Sequence, residues 1–388
     1  MKLKNILYCG LAILLINACK NKEEKPAKSV ISYVNVNDVI DADLLTQHTI
    51  PHNITTFSNL TTQQETSIIN TDIGFWLQTT FKNDSIGIIV GGPELNTRIT
   101  TNGGETWLEN SFGFMDAFYS AAFSDNAIFV VGESEYIFKT PDYGKTWSVF
   151  DTKELFKNQF NPTYSKIIFL TDKIGFITGE GKIGNGVNGH SILLKTVDGG
   201  KSWVDVKPKG LEKNLTGIAD FVTLSEKEIL IVTNYGKCYK SIDGGLLWKE
   251  LYDNQSEEYI GLDNIAFLDS KIGLITGVGG DLYYTDTGGE NWRKIERPLN
   301  SNGDKTEFSD IVFLENSALI TTKTYSEKNT RETLVYQIDK AGTNLRPFLT
   351  SGDKNTVFKG SSRSIAVLNG NVYVLDKDNL YKTKTPNN

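Results

Sequence analysis

One eight-residue frame recurs five times in this chain. Its clearest copy is Thr196-Val-Asp-Gly-Gly-Lys-Ser-Trp203. The same pattern, Ser/Thr-x-Asp/Asn-x-Gly-x-x-Trp, is carried by Thr100, Asn102, Gly104 and Trp107, by Thr140, Asp142, Gly144 and Trp147, and by Ser241, Asp243, Gly245 and Trp248. A fifth copy keeps Thr285, Gly289 and Trp292 but has Thr287 where the acid should stand. Each polar position has a physical task. The hydroxyl and the carboxylate accept from backbone N–H groups and hold a tight turn. The glycine supplies a backbone conformation that a Cβ penalises, and the tryptophan covers apolar area beside the turn. Five of the six tryptophans lie in this box.

A short strand ends in each box hydroxyl, so the box is a hairpin turn. Around it the same unit repeats. Unit three reads Ile167-Ile-Phe-Leu, Gly175-Phe-Ile-Thr-Gly179, Ile192-Leu-Leu-Lys-Thr196 and then Trp203-Val-Asp-Val206. Successive box tryptophans are 40 to 56 residues apart, the length of one four-stranded antiparallel unit. A sixth unit with an eroded box spans 311–339, and a seventh, 364–383, stops before its fourth strand. An open ring would leave exposed strand edges. The strand-like stretch 52–58 is therefore expected to supply the missing strand against 380–383. A count of six results if unit one or six is not a unit. Nothing alternates strands with long amphipathic helices, which excludes a doubly wound sheet.

The box resembles the Asp box, or bacterial neuraminidase repeat, of β-propeller proteins. Sialidases, sortilin-type receptors and the photosystem II assembly and stability factor family share it. The resemblance is most specific to the last of these, because a box recurs in nearly every unit. It implies an all-β propeller, which the unit count makes seven-bladed and closed by an N-terminal strand, and an assembly scaffold rather than an enzyme. A sialidase needs three arginines for the substrate carboxylate and a Tyr–Glu pair. This chain has Arg98, Arg293, Arg297, Arg331, Arg346 and Arg363, and lacks the Arg-Ile-Pro motif near its N-terminus.

The N-terminus reads as an address. Lys2 and Lys4 precede an apolar stretch, 6–16, that is short for a bilayer span. The sequence Ile16-Asn-Ala-Cys19 resembles the lipobox of bacterial lipoproteins. That implies a signal peptide over 1–18, lipid on Cys19, and a charged flexible tether over 19–45 before a single propeller domain over 46–388. Lys20 after Cys19 favours the outer membrane of a bacterial envelope. An ordinary secretory signal with an incidental cysteine is the alternative. Cys9, Cys19 and Cys238 suggest no disulfide framework, and Cys238 reads as a packed side chain. The net charge of −7 gives no broad reason to bind nucleic acid.

Turns between strands one and two share a face with the box turns, so the opposite face carries the longer loops. Propellers bind ligands over that channel mouth. Candidate residues there are Phe112, Phe114, Glu133, Glu135, Glu180 and His190. Exposed aromatics would contact a protein or a glycan, whereas a glycosidase would need two facing carboxylates. The stretch Gly179-Glu-Gly181-Lys-Ile-Gly184 fits a dinucleotide motif in spacing but leads back into a strand rather than into a helix. His48, His52 and His190 have no metal-ligand spacing. The expectation is a monomeric, non-catalytic binding propeller on a lipid anchor, without metal or cofactor, recognising a protein or glycan. A carbohydrate-active hydrolase on the same fold is the alternative.

Overall fold

The computed structural model describes residues 32–386, apart from 40–44, 52–53, 59–64, 71–74, 93–95, 114–115, 158–160, 183–188, 208, 212–216, 254–260, 300–304, 324–329, 332, 351–357, 360–363 and 377–378. The expected signal peptide, Cys19, Phe114 and His52 lie outside the described residues.

Seven four-stranded antiparallel blades form a β-propeller. In blade order the innermost strands are Phe75–Phe81, Phe118–Phe123, Asn161–Phe169, Ile218–Thr223, Leu262–Phe267, Glu307–Phe313 and Ser364–Leu368. Second strands such as Gly87–Gly92, Ile128–Gly132 and Ile229–Thr233 are buried at every position. A strand with neighbours on both faces has no solvent side, so it reads as a continuous apolar run rather than as an alternation. The core lies in the seams. Phe176 and Leu193 of blade three pack on Phe221, Ile231 and Trp248 of blade four. Leu319 and Val335 of blade six pack on Val372 and Tyr381 of blade seven.

The box turns join third to fourth strands. In box three Thr196 Oγ1 donates to Asp198 Oδ1 at 2.8 Å and accepts from Gly200 N at 2.9 Å. Asp198 also takes the N–H groups of Lys201 and Ser202, both at 3.0 Å. Boxes one, two and four repeat these bonds through Thr100 and Asn102, Thr140 and Asp142, and Ser241 and Asp243. In box five Thr287 Oγ1 stands in, accepting from Asn291 N at 2.9 Å. Blade six keeps the acidic half of the device: Asp339 accepts from Thr343 N and Oγ1, although Gln337 replaces the hydroxyl residue.

Each box also reaches into the seam toward the preceding blade. Gly200 has φ +72°, and a Cβ there would lie 2.5 Å from the Phe129 ring of blade two. Gly245 has φ +93°, and its Cβ would lie 2.3 Å from Leu193 of blade three. Glycine is required twice over, by the left-handed backbone and by the close approach. Trp107, Trp147, Trp203 and Trp248 are buried in the same seams, whereas Trp292 is half-buried.

The ring closes through an N-terminal strand, but through a different one from that expected. Glu65–Asn70 pairs with Asn379–Lys384, with Leu380 opposite Ile69 and Tyr381 opposite Ile68. Ile54–Ser58 lies one place further out, on Glu65–Asn70. Both stretches are strand-like, and hairpin pairing puts the later one against the blade. The segment before them is also attached to the propeller. Thr46–Pro51 adds to the outer strand of blade one and Val34–Asn35 to that of blade two. Val36 is buried there, in a cluster with Trp147 and Val149. Residues 33–36, expected within a free tether, therefore lie against the propeller, anchored by Tyr33 and Val36.

Candidate functional site

All inner strands except that of blade seven carry a bulge at the same place. A bulge turns a side chain out of the pleat and often sits beside a functional site. The residue just past each bulge, with its counterpart in blade seven, forms a polar belt around the channel: Gln78, Ser120, Lys166, Asp220, Asn264, Asp310 and Ser364. Several belt residues stitch one blade to the next. Ala121 N donates to Gln78 Oε1 at 2.8 Å, Ile167 N to Ser120 Oγ at 3.2 Å, Ile265 N to Asp220 Oδ2 at 3.0 Å and Ile365 N to Asp310 Oδ2 at 2.8 Å. Lys166 Nζ meets Asp220 Oδ1 at 2.5 Å. The acceptor always serves the residue that follows the next blade's own belt position. The signal was within reach in the sequence: a polar residue precedes Ile-x-Phe or a close variant in Lys166-Ile-Ile-Phe, Asn264-Ile-Ala-Phe and Asp310-Ile-Val-Phe.

Lys166 and Asp310 also line a cavity of about 270 Å³ in the channel, with Phe221, Asn264 and Phe313. Burial pushes the Asp310 carboxyl up to about 6; the Ile365 N–H and the Lys166 charge oppose that rise, and the Asp220 charge adds to it. An unfolded aspartate titrates near 3.9, so the folded form holds this proton more tightly. The associated stability is full below about pH 4 and is lost as pH rises through about 6, roughly 2–3 kcal/mol in all. The box acids run the other way. Against the cost of burial, bonds from Thr146 and Thr140 hold Asp142 below the usual carboxylate range, and bonds from Ser202, Thr196 and Lys201 do so for Asp198. Their contribution is present above about pH 4 and is lost as pH falls further. Urea midpoints should therefore decline on both sides of an optimum near pH 4–5. Asp310→Asn should flatten the decline between pH 4 and 6. A slope there identical to wild type would show that Asp310 does not titrate in that window.

Above the belt, at the end where strand two meets strand three, a cleft of about 350 Å³ opens across blades two to four. Tyr119 and Ser165, the bulged residues of blades two and three, line it with Glu133, Glu180, Ile218 and Asn234. The Tyr119 hydroxyl donates to Glu133 Oε1, and Ala117 N donates to Glu133 Oε2 at 3.1 Å. Burial, the Glu133 bond and the surrounding carboxylates push the Tyr119 phenol well above its ordinary value. The Asp116 carboxyl is raised by burial and by the charges of Glu133 and Glu135. Glu135 stands beside the cleft, held by Lys153 Nζ at 2.7 Å.

The other candidates are placed differently. Phe112 is not on the binding face. It is fully buried in the seam of blades one and two, edge-on to Phe118, Phe138 and Trp147. An apolar ring in a short loop gains by leaving water, and this one fills the hole beside Trp147. His190 lies in the third strand of blade three, Gly189–Thr196. Tyr119, Ser165 and Asn234 are cleft residues that the sequence reading missed.

The cleft offers carboxylates, a phenol and an amide, groups that bind. The raised Tyr119 phenol stays protonated and serves as a donor to Glu133. The arginines with described side chains are engaged elsewhere: Arg98 with Glu109, Arg293 with Ala341 and Gly342 carbonyls, Arg297 with Asp281, and Arg346 with Gln337. Among the described residues no His, Cys, Asp or Glu group has the geometry to hold a metal ion. Cys238 is fully buried, and burial pushes its thiol up to about 12, so it is an inert core side chain.

No protein-family model matches the chain. Among curated proteins it is similar to the chloroplastic photosystem II stability/assembly factor HCF136 of Arabidopsis thaliana, with 27% identity over 160 residues. That stretch is 41% of this chain, and the chain spans about a third of the length of the relative, 34%. Among solved structures it resembles YCF48 bound to a D1 peptide, with a TM-score of 0.60 and 17% identity over 85% of this chain and 100% of that one. YCF48 from Cyanidioschyzon merolae gives 0.57 and 17%, over 86% and 99%. The WD40 propeller domain of Doa1 gives 0.56 and 15%, over 86% and 97%. These likenesses place the chain among β-propellers.

Proposed function

We propose that this chain is a non-catalytic binding propeller, lipid-anchored in a bacterial outer membrane, that receives a protein segment in the cleft of blades two to four. The observation that carries the reading is the cleft itself. It is lined by hydrogen-bonding groups on rigid strand ends, with Glu133 and Glu180 to receive cationic or amide groups. The likeness to a propeller solved with a bound peptide supports a polypeptide over a glycan. The turn boxes are read as Asp boxes, folding devices that leave the opposite mouth free for binding. The test is binding to an array of synthetic peptides bearing Lys or Arg. Glu133→Gln and Glu180→Gln should each weaken the best binders roughly five- to tenfold. Unchanged binding in both variants would remove the cleft from the function. The hydrolase reading rests on the Tyr119–Glu133 pair beside Glu180. Turnover of aryl glycosides that Glu133→Gln abolishes would replace the binding reading.

The anchor has its own test. Cys19→Ser should move the protein from salt-washed membranes to the soluble fraction and remove the lipid mass from the N-terminus. A Cys19→Ser protein that keeps the lipid mass on its N-terminus would refute lipidation at this residue.

A further inference from the structure

The box turns of blades three and four differ from those of the other blades in what they show to solvent. Ile242, Leu246 and Leu247 all project from the one turn of blade four, at 74%, 54% and 61% exposure. Val197 in the box of blade three and Val204 just past it are also more than half exposed. The two turns are contiguous. A Cβ on Gly244 would stand 3.5 Å from Lys195 Nζ of blade three, and Lys209, just past blade three, bridges to Leu247. Lys201, Lys207, Lys209 and Lys249 are exposed on the same turns. The acids nearby are largely engaged. Asp198 and Asp243 are bonded inside their own turns, Glu228 meets Lys240, and Glu250 meets Lys237, leaving Asp172 and Glu226 exposed in the two adjoining turns. A chain with net charge −7 therefore carries a local surface of lysines around five bare aliphatic side chains.

The N-terminal segment reaches the same blade. Tyr33 accepts from the Trp203 indole N–H at 3.2 Å, and Lys139 Nζ lies over its ring. Cys19 precedes Tyr33 by 14 residues, a reach of at most about 50 Å. Aliphatic side chains that enter the interface, ringed by lysines that meet anionic headgroups, are the two components of peripheral membrane binding.

We propose that the box turns of blades three and four form a membrane-contact surface for an anionic bilayer, with Ile242, Leu246 and Leu247 as the inserting side chains. The binding cleft lies at the opposite end of the blades and would then face away from the bilayer.

The test uses residues 20–388 without lipid, since residues 32–388 form one compact unit. Co-sedimentation is measured with vesicles of phosphatidylcholine alone and with about one third phosphatidylglycerol. Binding to the anionic vesicles is expected, weakening as salt rises, because each lysine near the surface contributes roughly fivefold. The combined Ile242→Ser, Leu246→Ser and Leu247→Ser variant should lower the partition coefficient at least about tenfold. Lys201→Glu with Lys209→Glu should do the same for anionic vesicles. These side chains are exposed, and an unchanged urea midpoint confirms the fold. No binding to anionic vesicles at low salt, or binding indifferent to both variants, overturns the proposal. A concentration-dependent dimer that the triple substitution abolishes overturns it too, assigning the surface to a second copy. Neither the peptide assay nor Cys19 fractionation involves these residues, so failure here is distinguishable from failure of the binding or anchor readings.

Discussion

Trp203→Ala should lower the stability of the propeller by about 3–5 kcal/mol, the range for truncating a large buried aromatic. Trp203 is 2% exposed. It packs edge-on against Phe129 of blade two at 6.2 Å and Phe169 of blade three at 6.1 Å, so its loss opens a hole in a seam rather than within one blade. Repeat architectures draw stability from such neighbour interfaces. The indole N–H gives an internal control. In boxes one, two and four it donates to the box glycine carbonyl, but Trp203 donates to the Tyr33 hydroxyl. Tyr33→Phe should therefore cost about 1–2 kcal/mol by leaving that donor without an acceptor. Trp292 is the comparison. It is half-buried and its N–H already has no acceptor, so Trp292→Ala should cost less than Trp203→Ala. Urea midpoints measure all three. Equal midpoints for Trp203→Ala and Trp292→Ala would show that seam burial does not set the contribution of a box.

The box was legible because it is local. Hydroxyl, acid and glycine all act within eight residues, so composition at fixed spacing reports the turn, and the spacing of turns reports the blade. Asp339 shows the limit of that reading. The carboxylate keeps its bonds to Thr343 after the hydroxyl residue and the tryptophan are gone, and a lone aspartate has no spacing to recognise. The belt is harder to see because each member is a single polar residue in an apolar strand. Its partner is a backbone N–H in the next blade, tens of residues away. Phe112 was misplaced for the same reason: whether a loop aromatic faces water depends on the seam it meets, here Phe138 and Trp147. In the cleft, Glu133 and Glu180 are legible because each follows the Val-Gly or Thr-Gly that marks the end of a second-strand run in the sequence. Tyr119 and Ser165 were missed because a bulge turns them inward, and a one-residue bulge leaves no mark in an alternating pattern. The charged run 20–28 reads as tether by composition, and the apolar residues that follow it, Tyr33 and Val36 among them, have no repeat spacing that marks them as docked.

Removing residues 1–70 should destabilise the propeller on the order of 5 kcal/mol, a large share of what a domain of this kind possesses. Glu65–Asn70 is the fourth strand of blade seven, and the next strand in the sequence, Phe75–Phe81, is the inner strand of blade one. That strand both satisfies the outer backbone of Asn379–Lys384 and ties the last blade to the first. Without it, blade seven is joined to blade one by side-chain contacts: Tyr373 and Leu375 pack against Ile89 and Trp107, Ser364 Oγ donates to the Thr79 carbonyl and Asn371 Nδ2 to Asp84. The bared strand would also be open to pairing with another chain. Removing residues 1–60 should be milder, because it takes Ile54–Ser58, Thr46–Pro51 and Val34–Asn35 but leaves the closing strand. That truncation still bares the Tyr33 and Val36 sites on blades two and three, so it should not match wild type either. Hydrogen exchange at residues 380–382 separates the two. Protection there should survive the shorter truncation and vanish in the longer one, alongside aggregation. If residues 71–388 remain monomeric with those amides protected, the ring is closed by packing and not by the strand.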